Sequence, residues 1–206
     1  MLKKRIRNVL LLALMMCAAL VRAESTGYEA LSPAQPTRDP AKIEVIEFFW
    51  YGCPHCYALE PYMEKWLKNK PANVDFVRQP TIFNELWGKH AKAYFTAETL
   101  GVVDKINHDF FEVVQSKKQK LDSEDQLAKF FVEHGVKEQD FRTAFNSFAV
   151  DAKMRQAQAM PARYGITGVP AVIINGKYKT NGPLAGSPEK IIEVMDKLIK
   201  QESTGH

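Results

Sequence analysis

Residues 47–56 read Glu47-Phe-Phe-Trp-Tyr-Gly-Cys-Pro-His-Cys56, and this stretch decides the fold. Lys42 to Tyr51 is a β-rich run, apolar on both faces after Ile43, as in a strand covered on both sides. Pro54 then sits where the first turn of a helix tolerates a missing N–H. Cys56, Leu59, Met63, Trp66 and Leu67 recur at helical spacing. Two cysteines thus stand where a strand runs into a helix. Residues three apart on one helical turn lie about 5–6 Å from each other, within the Cα separation of a disulfide. Cys53 and Cys56 can therefore close into a disulfide and reopen with little backbone movement.

Outward from this stretch, Pro61 is expected to kink the helix, and Pro71 lies past its end. Val74 to Arg78 reads as a second strand, which makes a βαβ unit with parallel strands. From Asn84 to Tyr164 the pattern is helical. One helix carries Trp87, Ala91, Tyr94 and Phe95, and another Val103, Ile106, Phe110 and Val113. A third opens on a Ser123/Gln126 capping box and stops at Gly135. Phe141 and Phe145 mark a fourth, and 148–163 a fifth, weakened by Pro161. The strands resume at Ala171–Ile174 and Lys177–Thr180, on either side of the hairpin signal Asn175-Gly176. Ser187-Pro188 opens a closing amphipathic helix. The fold class is α/β, with an α/β domain expected at 41–83 and 165–203 and an inserted all-helical subdomain at 84–164.

The N-terminus reads as a leader. Lys3, Lys4, Arg5 and Arg7 precede an apolar run from Val9 to Leu20, and Val21-Arg22-Ala23 fits a cleavage site, so residues 1–23 are expected to be a cleaved signal peptide. Cys17 falls inside it. Residues 24–40 form a polar, proline-containing arm, with a short edge strand expected near Tyr28–Leu31. Cleavage takes five cations from a net charge of +4 and leaves −1. A near-neutral chain offers no electrostatic case for nucleic acid or a membrane surface. Export places the chain in an oxidising compartment. Two remaining cysteines do not make a disulfide scaffold, so the pair is better suited to chemistry than to bracing.

A Cys53 thiolate at the helix start would accept backbone N–H groups and feel the positive end of the helix dipole, and His55 could add charge. Each lowers the thiol pKa. Cys53 is expected to be exposed and Cys56 to face inward. Half a zinc site is the competing reading, but no second C-x-x-C exists and the remaining histidines are scattered, so no metal or cofactor is expected. A purely structural disulfide is the other, although so small a loop constrains the unfolded chain little. Glu47 is either a solvated edge residue or a buried carboxylate beneath Cys56 that exchanges the resolving thiol's proton. Glu44 and Glu60 read as solvated. Pro170 either starts a strand or, in cis, leaves the Val169 backbone free to pair with an extended peptide.

The motifs E-F-F-x-x-x-C-P-H-C-Y at 47–57, N-S-F at 146–148 and G-V-P-A-x-x-x-N-G-K-Y at 168–178 resemble those of DsbA-type thiol:disulfide interchange proteins of the thioredoxin superfamily. The resemblance covers nearly all of the chain after the leader. It implies a thioredoxin fold for the discontinuous domain at 41–83 and 165–203, Cys53 as nucleophile beside Pro54 and His55, Cys56 as resolving cysteine, Glu47 as buried acid, and Pro170 in cis with Val169 at the substrate. It also implies a bacterial periplasm, newly exported cysteine-containing proteins as clients, and reoxidation by a DsbB-like membrane oxidase. Trp50-Tyr51-Gly52 departs from the family's more Phe- and Ser-rich versions. An isomerase or reductase on the same fold, or a peptide-binding chaperone, are the alternatives. The short arm disfavours a dimerisation domain, so a monomer is expected.

Overall fold

The computed structural model describes residues 26–204; the signal peptide expected at 1–23, with its Cys17, lies outside them. In chain order the elements are β1 (Glu29–Ala30), β2 (Ile43–Phe49), α1 (Pro54–Lys68), β3 (Val74–Pro80), α2 (Glu85–Thr99), α3 (Val103–Gln115), α4 (Glu124–Glu133), α5 (Glu138–Phe145), α6 (Phe148–Arg163), β4 (Ala171–Ile174), β5 (Tyr178–Asn181), α7 (Gly182–Ala185) and α8 (Pro188–Thr204). The strands form one mixed sheet in the order β1-β5-β4-β2-β3. β2 runs parallel to β3 across the α1 crossover and antiparallel to β4. The α/β thioredoxin fold with a run of helices between β3 and β4 is therefore the one expected.

All seven residues of β2 are buried, because helices cover both faces of the sheet. Ile43 and Val45 pack with Leu59 and Met63 of α1 and Met195 and Leu198 of α8. Ile46 and Phe48 face the other way, onto Met160, Tyr164 and Ile166. Side chains alternate along a strand, so Glu47 shares the α1 side with Ile43 and Val45. A third core fills the helical segment and does not stop at its edge. Phe110, Phe111, Phe131 and Phe141 are continuous with Phe49, Tyr51, Cys53 and Cys56.

The local signals worked for identifiable reasons. Ser123 Oγ accepts from the Gln126 N–H at 3.3 Å, and Gln126 Oε1 accepts in return from the Asp122 N–H at 2.9 Å. α1 carries Pro61 inside it and continues to Lys68. Several strand boundaries moved by a residue or two. β3 reaches Pro80, because its parallel register with β2 holds from Ile43↔Val74 to Phe49↔Pro80. β5 begins at Tyr178 because Lys177 N–H closes the hairpin turn onto Ile174 O at 3.0 Å. Asn175 and Gly176 at that turn both have positive φ, 51° and 64°, as a two-residue I′ turn requires. The edge strand expected near Tyr28–Leu31 is β1, paired antiparallel to β5.

The N-terminal arm clamps the same turn. Gln35 N–H donates to Gly176 O at 2.8 Å, and a Cβ built on Gly176 would lie 2.0 Å from Gln35 O. Gly176→Ala should therefore lose at least about 1–2 kcal/mol, the usual cost of a left-handed residue with a Cβ. Denaturant unfolding would register this as a lower midpoint. An unchanged midpoint would mean that the arm gives way instead.

Candidate active site

Cys53 is the N-cap of α1. Its backbone is extended, at φ −89° and ψ 116°, so the side chain turns back over the first helical turn. Sγ accepts the Cys56 N–H at 3.4 Å. Pro54 has no N–H to offer, so the first donors available to the sulfur belong to His55 and Cys56. Both cysteines are free thiols here. The Cys53 pKa falls from 9.0 to about 6. A hydrogen bond from the Cys56 side chain contributes most. Burial opposes it, and the backbone N–H groups of Cys56 and His55 and the His55 ring charge lower it further. Cys56 is 1% exposed, and desolvation pushes its thiol well above the ordinary value.

Cys53 is less open than expected, at 8% exposed. The loop before β4 folds over it: the Val169–Pro170 peptide is cis, and the Cys53 thiol donates to Val169 O at 3.3 Å. Pro54 and His55 are exposed beside it. A groove of about 530 Å3 continues from there, lined by His55, Leu59, Thr167, Val169, Pro170 and Pro183 among others.

Glu47 is buried at 1% exposure, which rules out the reading of a solvated edge residue. Its Oε2 lies 3.6 Å from Arg78 Nε and has no hydrogen-bond partner. Desolvation outweighs the attraction of Arg78, and Glu60 adds repulsion, so the carboxyl pKa rises from 4.5 to about 7. Its charge is in turn one of the groups that raise Cys56.

The expectation of solvated Glu44 and Glu60 is overturned. Glu44 is 2% exposed, because the arm brings Arg38 over it; its Oε1 accepts from the Arg38 N–H and Nε, each at 3.1 Å. Glu60 is 1% exposed and forms a two-pronged pair with Arg78, both N–H···O distances being 2.8 Å. Asn107 Nδ2 donates to Glu60 Oε1 at 2.7 Å, Tyr51 Oη donates to Asn107 Oδ1 at 2.9 Å, and Gln115 Nε2 donates to Tyr51 O at 2.7 Å. The sequence reading missed this chain. One signal was available: Glu47 and Arg78 occupy the same step of the parallel register, so two charges in apolar strands of one βαβ unit could have been paired. Among the described residues no group of three or more His, Cys, Asp or Glu could hold a metal ion.

Two thiols of opposed acidity at a helix N-terminus, facing a cis-proline loop, on a sheet of this order, define a dithiol/disulfide oxidoreductase of the thioredoxin fold. Known proteins narrow the class. A family model described as the DSBA-like thioredoxin domain matches residues 84–189. The thiol:disulfide interchange protein DsbA of Pseudomonas syringae pv. tomato is 39% identical over 205 residues, 95% of this chain and 96% of its own. That of Burkholderia cepacia is 37% identical over 205 residues, 96% of this chain and 97% of its own. The crystal structure of Pseudomonas aeruginosa DsbA, 38% identical, matches with a TM-score of 0.83 over 87% of this chain and 93% of that one. The chain belongs to the DSBA-like thioredoxin family, and it is a thiol:disulfide oxidoreductase.

The raised Glu47 pKa carries a stability signature. Folded Glu47 holds its proton to higher pH than the unfolded chain does. The stability this contributes is complete below about pH 4.5 and is lost as pH rises through about 7, by up to about 3 kcal/mol. Denaturation of Glu47→Gln at a series of pH values should show this slope flattened. A slope unchanged by the substitution would remove Glu47 as its source.

Proposed function

We propose that this oxidoreductase works as an oxidase of the periplasm of a Gram-negative bacterium. It donates the Cys53–Cys56 disulfide to newly exported proteins and is reoxidised by a DsbB-like membrane oxidase. The observation that carries the reading is the acidity of Cys53, with a pKa of about 6. At pH 7 a fall from 9.0 to about 6 favours the dithiol over the disulfide by about 1.4 kcal/mol, or about 30 mV for a two-electron couple. Stabilising the open dithiol makes the closed form the better oxidant. The basic leader at residues 1–23 supports export, and among the described residues no helix is long and apolar enough to cross a membrane.

The exchange follows from the two acidities. A client thiolate attacks Cys53 Sγ, a client–Cys53 bond forms, and the Cys53–Cys56 bond breaks. Cys56 leaves as a thiolate that is buried and of raised pKa, so it takes up a proton; Glu47, half-ionised near neutrality and close enough to raise the Cys56 pKa, supplies it in this reading. The client's second thiolate then attacks the client sulfur of the mixed disulfide. Cys53 departs as a stable thiolate. Two electrons have moved from client to enzyme, and the client holds a new disulfide. His55 assists by lowering the Cys53 pKa. Val169 and Pro170 border the sulfur, where the Val169 backbone can pair with an extended client segment.

Thiolate absorbance of the reduced protein against pH should show Cys53 half-ionised near pH 6. Ionisation in the range of an ordinary thiol would sink the oxidase reading. Independently, Cys56→Ser should accumulate mixed disulfides with client proteins on Cys53, since the thiol that reverses them is gone, whereas Cys53→Ser should accumulate none.

A further inference from the structure

One buried titratable side chain close to the redox centre takes no part in the exchange chemistry described above. His90, on α2, is 1% exposed, and both of its ring nitrogens are engaged. The Trp50 Nε1–H donates to His90 Nδ1 at 3.1 Å. The other nitrogen, Nε2, lies 2.7 Å from Lys120 O. An indole N–H can only donate, and a carbonyl can only accept. His90 therefore carries its proton on Nε2 and offers a lone pair at Nδ1, so the imidazole is neutral. Burial keeps it so, by pushing the ring pKa below its ordinary value. Two partners thus select one tautomer of one buried ring, and that ring joins Trp50 to the loop after α3.

What His90 holds is the peptide that serves both sulfurs. Trp50 O accepts the Cys53 N–H at 3.0 Å, which closes the turn that delivers Cys53 to the head of α1. A hydrogen bond from the Trp50 backbone also eases ionisation of the buried Cys56 thiol. The indole rests directly on this turn: a Cβ on Gly52 would come within 2.2 Å of the ring. Trp87 stacks against the same indole, with centroids 4.3 Å apart. The far end of the relay is fixed as well. Lys118 and Leu121, on either side of Lys120, have φ of 55° and 46°. Residues with a Cβ rarely adopt that region, and it persists where the surroundings impose it. Leu121 is 4% exposed, so its side chain anchors the loop in the core.

We propose that His90 is a positioning residue for the exchange: by tying the Trp50 indole to the Lys120 loop, it holds the Trp50 peptide where its N–H meets the sulfur of the departing Cys56. The inference rests on the oxidoreductase reading above and adds to it a residue that touches neither client nor sulfur. When a client thiolate attacks Cys53 Sγ, the Cys53–Cys56 bond breaks and its electron pair leaves on Cys56. That anion forms on a residue only 1% exposed, away from bulk water. A fixed backbone donor stabilises charge developing at such a position, and does so without reorganising. A thiol of lower pKa is also the faster leaving group. Releasing the indole lets the donor drift, and the cost falls on this step. The role is polar rather than volumetric, so a phenyl ring of similar bulk at position 90 would fill the space and supply neither bond.

The test is the rate constant for reduction of the oxidised full-length protein by dithiothreitol, followed by acid quenching and thiol alkylation, with Tm recorded alongside. His90→Phe should slow this step about fivefold, the worth of one hydrogen bond. His90→Gln, which offers an acceptor and a donor side by side, should recover most of the loss. Trp50→Phe keeps a ring over Gly52 but has no N–H, and should slow the step alike. Because the two residues act through one bond, the double variant should be no slower than the slower single. A His90→Phe protein with a lower Tm and the parent's rate would make His90 a structural brace and overturn the proposal. A His90→Gln protein as slow as His90→Phe, or additive losses in the double variant, would overturn it too. Should His90→Phe fail to fold, Trp50→Phe decides, and the parent's rate there would be the overturning result. Each of these outcomes leaves the exchange reading standing as long as the parent reacts rapidly. A parent disulfide that dithiothreitol reduces no faster than glutathione disulfide would sink the exchange reading, and the role of His90 with it.

Discussion

The sulfur of Cys53 rests on a backbone N–H at the head of α1, and the rest of the molecule can be ordered by what that contact needs. It needs a helix that starts at residue 54, which Pro54 supplies by fixing its own φ and withholding a competing donor. It needs the helix start held rigidly against the sheet. The buried strand β2 and the βαβ crossover do this. A covering loop is also present, and it works against the anion. The Val169 carbonyl accepts from the neutral thiol and would repel a thiolate. Donation from the Cys56 side chain and the helix N–H groups outweighs this together with burial, since the net shift is downward.

Beneath that contact lies a different balance. Arg78 stands between two carboxylates and serves them unequally. Glu60 takes both of its terminal nitrogens at 2.8 Å, while Glu47 is left with Nε at 3.6 Å. A buried charge is tolerable when it is paired and hydrogen-bonded, and costly otherwise. Glu60 meets that condition, with Asn107 as a further donor, and Glu47 does not. Burial is what raises the Glu47 pKa to about 7, and its share of the one guanidinium, at 3.6 Å, is too weak to offset it.

The parts of this arrangement differ in how far the sequence revealed them. The strand, the helix start, the Cys-x-x-Cys geometry, the hairpin turn and the helical segment all rest on residues within a few positions of one another, where periodicity and capping rules apply. The burial of Glu44 and Glu60 was not legible, because their partners come from elsewhere: Arg38 from the arm, Arg78 from the next strand, Asn107 from α3. A carboxylate on a helix is solvated in the ordinary case, and only tertiary packing overrides that. The cover over Cys53 was missed for the same reason, since Val169 lies 116 residues away along the chain. Glu47 was the intermediate case. Its position in an apolar strand raised the question of burial, and packing over both faces of β2 settled that question.

The helical segment between β3 and β4 reads as an insertion, but the physical contacts make it part of the active site. Tyr51 is held by α3 twice, through its hydroxyl on Asn107 and its carbonyl from Gln115. Trp50 is held by α2, through His90 and the stacked Trp87. Two of the three residues before the nucleophile are thus fixed by helices that an isolated thioredoxin-like sheet would lack. The third, Gly52, is small because the Trp50 ring fills the space where a side chain would stand. Both consequences of residues 50–52 depend on these helices: the polar chain from Tyr51 to Glu60 and Arg78 below, and the aromatic face above. The segment therefore acts on the redox centre from two sides, setting the environment of the buried acid through α3 and the surface beside the reactive sulfur through α2.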